Sequence, residues 1–142
     1  MNNENSYSVI LPTLNEVGHI NSLINEISNN FDKFNIEYEI IIVDDNSVDG
    51  TVKEISKIEN SRIIVHKREG RKKSLVDSLN EGINISKNDN IIWMDADFSH
   101  PPTYIKKFIK LKNEKNIDVI VCSRFLKESI RYYNIQNKKK AG

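Results

Sequence analysis

Cysteine is almost missing from this chain, and its scarcity removes a class of architecture. The single Cys122 cannot build a disulfide framework. Its place in the apolar run Val119-Ile120-Val121-Cys122 reads as a small buried thiol in a reducing compartment, not as a nucleophile or metal ligand. Long apolar runs are missing too: none approaches the roughly 20 residues that span a bilayer. The start, Met1-Asn2-Asn3-Glu4-Asn5-Ser6, has neither the basic residues nor the apolar stretch of a signal peptide. A cytoplasmic location is therefore expected, peripheral at the cytoplasmic membrane face if another element brings it there. Charge of one sign is also lacking, since 21 basic and 20 acidic residues leave a formal net charge of +1. That balance gives no general attraction to nucleic acid, so any ligand must be read from local sites.

What the sequence does have is rhythm. Its 142 residues are enough for one domain with a real core, and short β-branched runs alternate with segments of helical period. This pattern predicts βαβ units and a parallel sheet. Five strands are expected, at Tyr7 to Leu11, Tyr38 to Val43, Arg62 to His66, Asn90 to Met94 and Ile117 to Cys122. Between them, Ile20, Ile24, Ile27 and Phe31 recur at helical spacing, as do Leu75, Leu79, Gly82 and Ile83, then Ile105, Phe108 and Ile109. A shorter helix is predicted over Thr51 to Ile58, and Pro101-Pro102 suits the first turn of the helix after the fourth strand. One α/β domain is expected over residues 1–125. The tail 126–142, with Ile130 to Gln136 and the lysines Lys138 to Lys140, reads as a final helix or a frayed, solvated end.

Each expected strand runs into a polar cluster at its C-terminal end. Parallel strands with right-handed crossovers would bring those ends to one edge, where open α/β sheets bind ligands. Asp95-Ala96-Asp97 follows an apolar strand, and residues two apart in an extended segment point the same way, so both carboxylates could face one hard cation such as Mg2+ or Mn2+. Asp44-Asp45 ends the most apolar strand, where adjacent charges need a cationic or hydrogen-bonding partner. A base edge or ribose hydroxyl could supply it at Asp45, whereas Asp49 reads better as a cap for the helix near Gly50. The run from Asp45 to Gly50 also resembles the start of an EF-hand loop, but Ser56 stands where that loop needs glutamate.

Arg68, Arg71, Lys72, Lys73 and Arg124 bring positive charge that would suit a diphosphate. For Lys72 and Lys73 a solvated face is an equal reading, and for Arg124 the rival is a salt bridge to Asp95 or Asp97. His100 has the spacing of a third metal ligand; packing or capping around Pro101-Pro102 is the competing reading. Trp93, inside an apolar strand, reads as core.

Four motifs stand in order: Leu11-Pro12-Thr13-Leu14-Asn15-Glu16, Val43-Asp44-Asp45-Asn46-Ser47-Val48-Asp49-Gly50-Thr51, Met94-Asp95-Ala96-Asp97-Phe98-Ser99-His100-Pro101-Pro102 and Ser123-Arg124-Phe125. Through them the chain resembles the N-terminal part of a family 2 glycosyltransferase of GT-A fold, and is most similar to the dolichol-phosphate mannosyltransferase group. The resemblance implies a three-layer α/β sandwich with a mainly parallel twisted sheet. It implies that Pro12, Leu14, Glu16, Val43 and Asp45 form the nucleotide pocket, with Leu14 replacing a usual tyrosine. Asp95 and Asp97 would bind the metal, Ala96 would line the nucleotide-sugar pocket and Arg124 would meet the phosphates, making Asp97 and Arg124 the catalytic pair. Ser99 stands where some members have a further metal-coordinating side chain.

The implied reaction moves a hexose, with inversion, from a nucleotide-diphosphate sugar of the GDP-mannose or UDP-glucose type to an acceptor such as a polyprenyl phosphate. Two departures stand out. Ser74-Leu75-Val76 replaces a usual glycine-rich segment, and the acceptor-facing region of the family has no counterpart before the end at Gly142. A homo-oligomer or a second chain would then supply the acceptor half. The alternative is a nucleotide-sugar-binding module without turnover. A dinucleotide-binding Rossmann enzyme is disfavoured because strand one leads into Pro12 to Glu16, with no glycine-rich fingerprint.

Overall fold

The computed structural model describes residues 4–122 and 130–133. Four strands, β1 (Ser6–Thr13), β2 (Glu37–Asp44), β3 (Ile63–Lys67) and β4 (Asn90–Trp93), form one sheet in the order β3-β2-β1-β4. Every pairing in it is parallel. The central strands are buried along nearly their whole length, Val9 to Leu11 and Ile40 to Val43 being fully inaccessible. That explains their continuous apolarity, because both faces of such a strand are covered.

The helices α1 (Ile20–Asp32), α2 (Thr51–Ile55) and α3 (Leu75–Ile85) follow β1, β2 and β3. The period-2 alternation of strand side chains shows on which faces they lie. Phe31 of α1 meets the rings of Tyr7 and Tyr38, at centroid distances of 5.7 and 4.9 Å. By contrast, α3 presents Gly82 to Ile10 and Val43, residues of opposite parity on the same two strands. Helices therefore cover both faces, giving the expected three-layer α/β sandwich. At Gly82 the approach is so close that a Cβ would fall 2.6 Å from Ile10 Cγ2. Ile10, Ile41 and Val43 form a compact core cluster there, with Leu79 packed against it.

The chain divides into two compact units, Met1–Pro102 and Thr103–Gly142. The second holds α4 (Tyr104–Glu114) and an antiparallel pair, β5 (Val119–Cys122) with β6 (Ile130–Tyr133).

Several expectations are corrected. The fifth strand does not extend the parallel sheet; it pairs with β6, a segment expected as helix or solvated end. The helix α2 ends at Ile55, not Ile58, and Pro101-Pro102 lie before the cap Thr103, outside α4. Trp93 is 45% exposed, not core; among the described residues β4 is the last strand of its sheet. Arg124, the Ser123-Arg124-Phe125 motif, Lys138 to Lys140 and the side chain of Cys122 lie outside the described residues.

Candidate nucleotide and metal site

The C-terminal ends of β1, β2 and β3 are in register, with Thr13, Asp44 and Lys67 side by side. The ladder then runs one residue further, as Asp45 N–H donates to Thr13 O and Arg68 N–H to Asp44 O, both at 2.9 Å. At this edge the chain leaves the sheet through left-handed residues, Asn15 at φ 55° and Asn46 at φ 65°. Asparagine tolerates that region better than most side chains.

The loops after β1 and β2 are laced together. Asn15 N–H donates to Ser47 Oγ and Val48 N–H to Asn15 Oδ1, each at 2.9 Å. Glu16 N–H donates to Thr51 Oγ1 at 3.0 Å and Val17 N–H to Asp49 Oδ2 at 3.1 Å. Asp49 Oδ1 also accepts from the N–H (3.0 Å) and hydroxyl (2.5 Å) of Thr51, the first residue of α2; the N-cap itself is Gly50, so Asp49 is not the cap expected of it but ties down the helix start from one residue earlier. The Thr51 hydroxyl, with help from the Val17 and Thr51 amides, holds the Asp49 carboxyl below the usual range.

The two aspartates ending β2 divide the work. Asp44 is turned inward to its own loop, accepting from Ser47 N–H at 2.9 Å and Ser47 Oγ at 2.5 Å. Asp45, 7% exposed, faces the other way. Its Oδ1 accepts from Arg68 Nη1 and its Oδ2 from Ser74 N–H, both at 2.7 Å. The compensation this buried charge requires thus comes from inside the protein. Arg68, 2% exposed, also lies 3.3 Å from Glu81 and 3.6 Å from Asp77. Burial works to lower its pKa, but Glu81 and Asp45 outweigh that and leave it raised.

Sequence reasoning missed Glu81, although a signal was present. Asp77 and Glu81 are four apart and so share one face of α3, the helix that follows Arg68. Glu81 binds His66 Nε2 at 2.8 Å and pairs with Arg71, so Arg71 is tied back to α3.

Beyond β4 the chain does not stay extended. Met94 N–H reaches Ile10 O at 3.3 Å, Asp95 follows, and Ala96-Asp97 turns, with Phe98 at φ 66°. The two-residue alternation expected to aim Asp95 and Asp97 alike does not operate in a turn. What relates them is charge. The Glu16 carboxyl is raised above its ordinary range by partial burial and then by Asp97, with Asp49 and Asp95 adding to the repulsion and His19 opposing it. Asp97 is instead lowered, chiefly by the Ser99 hydroxyl and by the Ser99 N–H at 2.9 Å.

His100 is held at Nδ1, which accepts the Asp95 N–H at 3.0 Å. That bond places the proton of the neutral ring on Nε2, 3.8 Å from Asp95 Oδ2. A protonated Nε2 cannot ligate a metal, which favours the packing reading over the third-ligand reading. Among the residues expected to form a nucleotide pocket, Val43 and Ala96 are buried, Pro12 and Glu16 are half-buried and Leu14 is exposed. Among the described residues no three His, Cys, Asp or Glu side chains stand ready to hold a metal. By type, the Asp95 and Asp97 carboxylates are the oxygen donors that suit a hard divalent ion whose shell is completed by phosphate and water.

Residues 8–140 match the model of the family described as Glycosyl transferase family 2. The chain is 34% identical over 121 residues to a dolichol-phosphate mannosyltransferase of Pyrococcus furiosus, a match covering 84% of this chain and 33% of that relative. It thus spans about a third of that relative's length. Among solved structures it is similar to S. aureus TarS 1-349 in complex with UDP-GlcNAc, with TM-score 0.70, 24% identity, 82% of this chain and 33% of that one covered. It is also similar to glucosyl-3-phosphoglycerate synthase from Mycobacterium tuberculosis in complex with Mn2+, UDP and glucosyl-3-phosphoglycerate, with TM-score 0.68, 23% identity, 84% and 43% covered. At these identities the structural likenesses speak for the fold, which is the expected GT-A architecture.

Proposed function

Because the chain belongs to glycosyl transferase family 2, we propose that it is the donor-binding part of a hexosyltransferase that uses a nucleotide-diphosphate sugar and Mg2+ or Mn2+. One observation carries the reading: Glu16, Asp97, Asp49 and Asp95 gather at one strand-end edge, where partial burial and then the charges of Asp97, Asp49 and Asp95 raise the Glu16 carboxyl above its ordinary range, an acidic rim that a cation would relieve. Asp95 and Asp97 would hold the ion. When bound, the cation would draw off negative charge from the leaving diphosphate. Pro12, Leu14, Glu16, Val43, Asp45 and Ala96 line the proposed nucleotide-sugar pocket, with Asp45 accepting from the base or ribose. Arg124 is the proposed phosphate contact, and Asp97 and Arg124 the proposed catalytic pair.

The acceptor class that fits is a polyprenyl phosphate, whose oxygen is already anionic and needs no general base. This is in keeping with the dolichol-phosphate mannosyltransferase relative. A peripheral site at the cytoplasmic membrane face agrees with such an acceptor. Among the described residues no helix is long and apolar enough to cross a membrane. UDP and Mn2+ in the mycobacterial relative support a uridine donor and manganese, while the mannosyltransferase relative supports a mannose donor.

The test is calorimetric titration of the full chain with UDP and with GDP, with Mn2+ or with chelator. Asp97→Asn is expected to remove the metal-dependent part of binding while the far-UV circular dichroism spectrum stays unchanged. Equal affinity with and without chelator would overturn the metal reading. Binding without transfer to a polyprenyl phosphate would instead support the non-catalytic module.

A further inference from the structure

We propose that Glu81 is a positioning residue for the nucleotide, setting affinity by holding Arg68, which in turn holds Asp45. The inference rests on the reading that Asp45 belongs to the nucleotide pocket. Arg68 enters the rim directly after β3 and is 2% exposed, so its guanidinium is taken from water and must be compensated locally. Three carboxylates face it: Asp45 at 2.7 Å, Glu81 at 3.3 Å and Asp77 at 3.6 Å. The Asp77 side chain is 62% exposed, and a pair so open to water is worth little. The Glu81 side chain is 20% exposed, so its charge is less screened.

Without Glu81, Arg68 would keep Asp45 and two marginal carbonyl contacts, Lys72 O at 3.4 Å and Ser74 O at 3.5 Å. All three are made through Nη1; only the water-exposed Asp77 carboxylate, 3.6 Å from Nη2, would remain elsewhere, and a guanidinium held firmly at one nitrogen can swing about it. Glu81 sits at the opposite side, by Nε. Its contact lacks hydrogen-bond alignment, Arg68 Nε having no such partner, so Glu81 acts on Arg68 through charge.

The same helix reaches Asp45 by a second route. Ser74, the N-cap of α3, donates its N–H to Asp45 Oδ2 at 2.7 Å. Both oxygens of Asp45 are therefore directed by groups that α3 controls. A donor from the nucleotide meets a carboxylate whose orientation is already fixed, which spares the ordering cost of binding.

The experiment is calorimetric titration of the full chain with UDP and, separately, GDP in the presence of MnCl2, below the melting temperature of every variant. For the nucleotide that the wild type binds, Glu81→Gln is expected to weaken affinity tenfold or more. Asp77→Asn and His66→Gln, which touch Arg68 weakly or Glu81 alone, should weaken it less than threefold. Adding Glu81→Gln to Arg68→Lys should cause no further loss, and in a transfer assay Glu81→Gln should raise KM for the donor with kcat unchanged. Should Glu81→Gln not fold, Glu81→Asp carries the test, with about fivefold weakening expected and wild-type affinity overturning the proposal.

Glu81→Gln within twofold of wild type, while Asp45→Asn is tenfold weaker, would overturn the positioning role and leave Asp45 in the pocket. His66→Gln as damaging as Glu81→Gln would also overturn it. Wild-type affinity in Asp45→Asn, or a wild type that binds neither nucleotide, would remove both readings.

Discussion

Glu16 and Asp97 sit on the same rim yet titrate in opposite directions, and the difference lies in what each touches. Glu16 faces burial and like charge, so its carboxyl is raised; Asp97 is bonded by Ser99, so its carboxyl is lowered. A raised acid stabilises the fold at pH below its ordinary range and loses that contribution as pH climbs through the raised value. Glu16→Gln should therefore raise the melting temperature at pH 7 with chelator present, and the gap should close as pH falls and wild-type Glu16 takes up its proton. A scanning-fluorimetry series from pH 4 to 8 checks this; a gap that widens toward acid would contradict it. The acidic residues of this rim were legible in sequence because each follows an apolar strand. The Arg68–Asp45 pair was not, since nothing in the order of residues says that an arginine after β3 folds inward and not toward solvent. Nor could the turn at Phe98 be foreseen, as no glycine or asparagine marks that left-handed position.

At the scale of elements, α3 comes very close to the sheet at Gly82. Gly82→Ala would place a methyl carbon 2.6 Å from Ile10 Cγ2 and 3.2 Å from Val43 Cγ2, forcing the helix or the strand to shift. Overpacking of this kind costs about 1–3 kcal/mol, to be read from urea unfolding. A second tie lies at the far end of the strands, where the buried Glu39 accepts from Ser8 Oγ at 2.6 Å and Lys87 N–H at 2.8 Å. Glu39→Ala would leave both donors unpaired and should destabilise by about 1–3 kcal/mol by the same measurement.

Helical period and the alternation of strands with helices were legible through β4, because each apolar face is repeated over several turns or residues; the order of the strands in the sheet was not read from the sequence. Nor was the β5–β6 pair. A short apolar run such as Val119 to Cys122 looks the same whether its neighbour is parallel or antiparallel, and the partner Ile130 to Tyr133, though its isoleucine and tyrosines favour strands, is only four residues long and stands close to a lysine-rich end that was read as helix or solvated tail.

For the whole molecule, the expected ligand should be visible as added stability. A nucleotide diphosphate with Mn2+ at about a hundred times its dissociation constant would add about 2.7 kcal/mol to the native state. Chelator should return the melting temperature to that of the free chain, and Asp97→Asn should show no such rise.

The bonds between the first two strand-end loops have a practical outcome for redesign. Asn15 and Val17 are fastened to Ser47, Val48 and Asp49, so the two loops form one part made from two stretches of sequence. Grafting a relative's first loop alone, to change which donor is accepted, would leave amides and carboxylates facing strangers; the second loop has to travel with it.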